Sequence, residues 1–200
     1  MSTLTTTQKV TSVAAAVTAA LAGYTTAQAQ LEEIVVTATK KSESLQDIAG
    51  SVQALTEDTL KKANVVGMED YAKLIPIMSY VNYTPGTGKV YFRGIAADNG
   101  TFISEESSAL YLNEQPITQA AMAADVRMGD VNRSEALAGP QGTLYGSSAQ
   151  SGAIRIITNK PDTSEFSAVG DMTLKMMGEG ASSYDFSGVV NVPITDNFAI

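Results

Sequence analysis

Two rhythms of hydrophobic and polar positions divide this chain. Between residues 45 and 161 the apolar stretches are short and broken by turn formers; beyond Pro161 the alternation is long and regular. In the first region residues 51–55 alternate as a strand. Thr56 is placed to cap a short helix through Lys62, with Glu57 and Asp58 in its first turn, where the helix dipole favours negative charge. Asn64 is a plausible stop, and a second helix over 68–74 ends before Pro76. Residues 77–83 and 89–93 read as strands around the turn 84–88, and 109–112 as another strand before the turn Asn113-Glu114-Gln115-Pro116. Residues 122–132 read as loop with a turn of helix, and 134–137 lead into Gly139-Pro140-Gln141-Gly142. A compact turn at 144–146 precedes a strong strand over 152–158, and Pro161 closes the unit.

Past Pro161, Phe166, Ala168, Gly170, Met172, Leu174 and Met176 share one face of a long strand, with Ser167, Asp171, Thr173 and Lys175 on the other. A turn at 178–180 follows. Tyr184, Phe186, Gly188 and Val190 then alternate against Asp185, Ser187, Val189 and Asn191. Residues 193–196 make a further turn, and Phe198 begins a third strand. Strands of about ten residues with one apolar and one polar face, joined by short turns, are the pattern of a transmembrane β-barrel. A soluble sandwich is the alternative, since alternation alone does not separate the two.

The amino terminus has a different character. In residues 1–29 the only charge is Lys9, followed by an apolar run over 13–22 and small residues at Ala27 and Ala29. That order is the order of a cleaved secretory signal peptide. Residues 30–44 then read as a flexible tether. Within it Glu33, Ile34, Val35, Val36, Thr37 and Ala38 form a short β-prone run. Such a run suits a strand that docks by main-chain bonds onto another protein's sheet, or the first strand of the domain itself. The domain proper spans 45–161, and 162–200 carry the first barrel strands.

Composition narrows the chemistry. The 200 residues include no His, Cys or Trp, and the net charge is −8. Without His there is no Ser-His-Asp triad, and without His or Cys no zinc, haem or iron–sulfur site of the usual kind. An acidic chain of pI 4.5 lacks the cationic footprint that nucleic acid demands. No metal site and no cofactor is expected. The segment from Gly139 to Gly146 lacks the Lys of a phosphate loop. Gly146-Ser147-Ser148-Ala149-Gln150 approaches a nucleophile elbow but ends in Gln, with no His to activate a serine. Glu105 and Glu106 are adjacent in a Ser-rich loop and read as solvated rather than as a catalytic pair. No catalytic constellation is present, so an enzyme is not expected.

Four motifs in order carry a resemblance: EEIVVTATK over 32–40, VYFRG over 90–94, ALYLNEQPIT over 109–118 and LAGPQGTLYGSSAQSGAIRIITNKP over 137–161. Together they resemble the TonB box and plug domain of TonB-dependent outer-membrane receptors. The resemblance implies an α+β fold: a globular plug with a small mixed β-sheet and short helices, followed by the first strands of an antiparallel transmembrane barrel that this chain leaves incomplete. It reads as the amino-terminal part of a longer receptor for a scarce ligand such as a ferric siderophore. The implied partners are TonB with its inner-membrane energising complex, the ligand, and outer-membrane lipid. A truncated periplasmic binding module without transport is the other reading.

The resemblance also implies roles. Residues 33–38 would be the TonB box. Arg93 would help lock the plug to barrel carboxylates; relatives commonly carry a second Arg where this chain has Ala138, and Arg133 and Arg155 are the candidates to replace it. Gly94, Gly139, Pro140, Gly142, Tyr145, Gly146 and Gly152 would be structural parts of the plug motif. The polar loops at 96–108 and 118–125, with Asp98, Asn99, Glu105, Glu106 and Gln119, are the candidates to face the ligand.

Overall fold

The computed structural model describes residues 33–97, 105–118, 122–176 and 182–200. The leader over 1–29, the residues Asp98, Asn99 and Gln119, and the turn at 178–180 lie outside the described residues.

The fold is α+β. A five-stranded mixed sheet has the order β3-β9-β10-β6-β7, built from Ser51–Thr56, Val131–Ala138, Gly152–Thr158, Ser108–Leu112 and Gln115–Pro116. β9 runs antiparallel to both of its neighbours, and β10 runs parallel to β6. A second, three-stranded sheet joins β4 (Met78–Thr84), β5 (Thr87–Phe92) and β8 (Ala123–Ala124). Helices α1 (Glu57–Lys62) and α2 (Met68–Leu74) follow β3.

The helices form where local chemistry dictates. Thr56 caps α1 by accepting from the Thr59 N–H, and Glu57 and Asp58 occupy the first turn while Lys61 and Lys62 occupy the last. Asn64, at φ 51°, ends the turn in the left-handed region that Asn tolerates. Gly67 precedes α2; an added Cβ would lie 2.8 Å from the Asp125 carboxylate, which accepts from the Met68 N–H and would have to shift.

Strand pleating sorts the central sheet into two faces. Ile154 and Ile156 of β10, Ala136 of β9 and Leu110 of β6 pack under the helices with Met68, Tyr71 and Phe92. Their alternates, Ala153, Leu137 and Ala109, face the other way, toward Val36, Ala38 and Tyr145. At Gly152 the two sheets touch. A Cβ there would sit 2.5 Å from the Leu137 carbonyl and from the Phe92 ring.

Several expectations are corrected. Residues 122–132 contain β8 and the start of β9, with no helical turn. β9 is a full eight-residue strand whose apolar alternation is hidden by Arg133, Ser134 and Glu135. Gly142–Tyr145 forms a short helix, α3, where a tight turn was expected. Residues 193–195 are a strand, β13 (Pro193–Thr195), paired with β14 (Phe198–Ala199), so the turn falls at 196–197. Residues 33–44, expected as a flexible tether, are packed. β1 (Val35–Val36) pairs antiparallel with β2 (Glu43–Ser44), and Val36 and Ala38 have no exposed surface.

β11 (Ser167–Lys175) and β12 (Ser183–Asn191) form a separate antiparallel pair. Met172 faces Phe186 and Leu174 faces Tyr184 across it, and all four side chains are exposed. On the opposite face Asp185 forms an ion pair with Arg127, which lies between β8 and β9.

Candidate functional site

The face of the central sheet away from the helices is closed by the amino-terminal segment. β1 and β2 are joined through a tight turn in which the Lys40 N–H donates to the Thr37 carbonyl at 3.0 Å, and Lys40 takes φ 63°. The Leu45 N–H returns to the Ile34 carbonyl at 2.9 Å. Two side chains, Val36 and Ala38, enter the apolar seat made by Ala109, Leu137, Ala149 and Ala153. Small residues on the sheet leave room for an extended chain to approach closely. Val35, on the outer side, is 48% exposed.

Tyr145 fastens the end of the segment. Its hydroxyl donates to the Ala38 carbonyl at 2.5 Å, and its own carbonyl accepts from the Tyr111 hydroxyl at 2.9 Å. The two rings meet edge-to-face at 5.2 Å. Burial pushes the Tyr145 hydroxyl up to about 12, so it remains a donor at neutral pH. The Lys40 ammonium stands 4.9 Å from the centre of the Tyr145 ring and pairs with Glu114 at 2.5 Å.

Beside this apolar seat lies a buried ionic one. Glu135 and Arg155 are direct cross-strand partners of β9 and β10, so pleating sends both to the segment's face. Their side chains are 0% and 1% exposed and meet at 2.7 Å. Glu135 also accepts from Arg133 Nε at 2.8 Å, and Arg155 donates to Glu114 at 2.5 Å. The exposed Glu114 carboxyl is held below its ordinary value by the Lys40 hydrogen bond first and by the Arg155 charge second. Thr37 reaches into this cluster. Its N–H donates to Glu135 Oε1 at 2.9 Å, and its hydroxyl accepts from Arg155 Nη1 at 2.8 Å and from Arg133 Nη2 at 3.1 Å.

The remaining site residues scatter. Arg93 is exposed at φ 53°, and no described carboxylate pairs with it. Gly94, Gly139 and Gly146 have φ of 78°, 100° and 79°, a region that favours glycine, whereas Gly142 opens α3 with free space around it. Pro140 is exposed between them. Ala138 is buried at the end of β9. Arg133 and Arg155 both bond to Glu135 and to Thr37. Among the described residues, Arg127 forms an ion pair with Asp185 of β12.

Glu106 overturns its solvated reading. It is 2% exposed, and neither carboxylate oxygen has a hydrogen-bond partner among the described residues. Burial pushes its carboxyl up, against the opposing charge of Lys89, which is itself buried. Glu105 stays at the surface and accepts from the Ser147 hydroxyl at 2.6 Å.

Sequence reasoning missed Glu135 altogether and saw Arg155 only as a stand-in for another arginine. The signal available was a charged residue inside each of two apolar strands, at positions that one register brings opposite each other.

Comparison with known proteins places this architecture. The model of a family described as "TonB-dependent Receptor Plug Domain" matches residues 44–153. The pesticin receptor of Yersinia pestis is 31% identical over 152 residues, covering 72% of this chain and 21% of the receptor. The vitamin B12 transporter BtuB of Vibrio vulnificus is 26% identical over 147 residues, covering 69% of this chain and 22% of the transporter. The crystal structure of the ferric yersiniabactin uptake receptor FyuA from Yersinia pestis superposes with a TM-score of 0.60 at 24% identity, covering 74% of this chain and 22% of that one. This chain thus spans about a fifth of the length of the curated relatives it matches. The family model covers more than half of the chain and spans β3, β6 and β9 of the central sheet: the chain belongs to the TonB-dependent receptor plug-domain family.

Proposed function

We propose that this chain carries the plug of an outer-membrane receptor that takes up a scarce ligand, such as a ferric siderophore, using energy supplied through TonB. Binding and transport, rather than catalysis, are its task. Residues 1–29 direct export and are removed, and the plug with residues 33–38 faces the periplasm. The apolar face of β11 and β12 meets lipid or neighbouring barrel strands. The family relationship supports this reading, as does the naming of one structural neighbour as a ferric yersiniabactin uptake receptor.

The single observation that carries the coupling role is the state of residues 33–38. Val35 and Val36 are already extended, among the described residues they pair only with the short strand β2, and they are not members of the five-stranded sheet. An extended segment with one strand neighbour is suited to join a partner's sheet by main-chain hydrogen bonds. The pull would then act on backbone, whatever the side chains. Proline lacks the N–H that such a ladder uses. Val35→Pro in the full chain is expected to weaken binding to the immobilised carboxy-terminal domain of TonB at least about tenfold. The exposure of Val35 makes core damage a poor explanation of that loss. Unchanged binding would overturn the assignment.

A further inference from the structure

We infer that Thr37 is a residue selected by the plug rather than by the partner: Glu135 and Arg155 form a preassembled grip that takes a hydroxyl-bearing residue at position 37 and thereby sets how often residues 34–38 are exposed. Only the second arm of the test below rests on the reading of residues 33–38 as the partner's handle.

The grip reads both the backbone and the side chain of one residue. Glu135 Oε1 takes the Thr37 N–H at 2.9 Å, while Arg155 Nη1 and Arg133 Nη2 donate to the Thr37 hydroxyl at 2.8 and 3.1 Å. A hydroxyl oxygen has two lone pairs, which matches two guanidinium donors. A valine of the same shape would present a methyl group to both. Serine would keep the oxygen.

The grip exists without the segment. Register alone sets Arg155 opposite Glu135, the two are joined at 2.7 Å, and Arg155 has a second carboxylate in Glu114 at 2.5 Å. When the segment leaves, each buried charge keeps a charged partner. Release therefore breaks bonds to Thr37 without stranding an ion, which is the circumstance in which opening a buried polar contact is tolerable. A segment held only by Val36 and Ala38 would be indifferent to the identity of residue 37. A strand added to a partner through its backbone would be nearly so.

These alternatives give opposite signs. Amide hydrogen exchange is measured on the full chain in detergent for wild type, Thr37→Val and Thr37→Ser. Loss of charge-assisted bonds to the hydroxyl should speed exchange at residues 34–38 about ten- to a hundredfold in Thr37→Val. Thr37→Ser should stay near wild type, and the amides of β10 should not change. Three results would each overturn the grip: wild-type exchange in Thr37→Val, equal acceleration in β10, or Thr37→Ser behaving like Thr37→Val. In the second arm the same proteins are passed over the immobilised carboxy-terminal domain of TonB. Thr37→Val should bind more tightly than wild type, because its segment is free more of the time; weaker binding would mean that the partner reads Thr37, and would overturn the proposal. If exchange responds as stated and no variant binds, the grip stands and the handle assignment fails.

Discussion

The two faces of the central sheet are closed in different ways. Under the helices, Ile154, Ile156 and Leu110 pack against Met68, Tyr71 and Phe92, all large and almost wholly buried. Under the amino-terminal segment, the sheet offers alanines and a charged pair, and the cover is one extended stretch with two inserted side chains. The first arrangement gains stability from apolar area and dense packing, which fail only when the domain unfolds. The second gains it from a few directional bonds on a small apolar seat. Such contacts open locally at a free energy below that of global unfolding. One face holds the fold together; the other, on the reading proposed above, is the one that opens first.

The sharpest way to break this comparison is Arg155→Met. It leaves the Glu135 carboxylate buried with Arg133 as its remaining cationic partner, and should destabilise the plug by about 3–5 kcal/mol in denaturant unfolding. Pairing it with Glu135→Leu should recover most of that loss, since no buried charge remains, yet leave residues 34–38 without their grip. Next in size is a contrast of two truncations. Ile154→Ala on the helix side should cost about 2–5 kcal/mol and lower the stability of the whole plug. Val36→Ala removes about two methylene equivalents, on the order of 1.5 kcal/mol, and should appear only as faster exchange of the segment. If Val36→Ala lowers global stability as Ile154→Ala does, the two faces are not distinct.

The smallest effect concerns Glu106, which lies outside both faces. Its carboxyl is raised by burial, so the folded chain binds the proton more tightly than the unfolded one. The contribution of this one group to stability is therefore fully present below the ordinary carboxylate range and is lost as pH rises through the raised value. Glu106→Gln should be more stable than wild type at neutral pH, and the gain should vanish on acidification below the ordinary range. A gain that persists at low pH would assign the effect to something other than charge.

Legibility in the sequence followed the range of the forces. α1 and α2 were readable because their signals are local: Thr56 at the cap, acids first and lysines last, Pro76 beyond. β10 was readable because its apolar run is uninterrupted except by Arg155. β9 was obscure for the reason that makes it important. Glu135 looks out of place in a buried strand until its partner, twenty residues later, is known to lie opposite. The extended character of residues 33–38 was evident from Ile34, Val35 and Val36. Their seat was not, because Ala109, Ala149 and Ala153 are small residues from separate elements that advertise nothing alone. Glu106 was misjudged because adjacency to Glu105 and serines suggests water, whereas Glu106, Ser107 and Ser108 are all buried where the chain enters β6.

The direct opposition of Arg155 and Glu135 carries a consequence for how this chain can change over time. A strand has parity: shifting β10 by a single residue would swap every side chain to the other side. The guanidinium would land among Met68 and Tyr71, and an isoleucine would be offered to the carboxylate. Point substitutions can accumulate around this strand, but a one-residue insertion or deletion within it would forfeit the domain's interior and the seat of its amino-terminal segment at a stroke. The spacing from Gly152 to Thr158 is therefore a length-intolerant stretch of the plug.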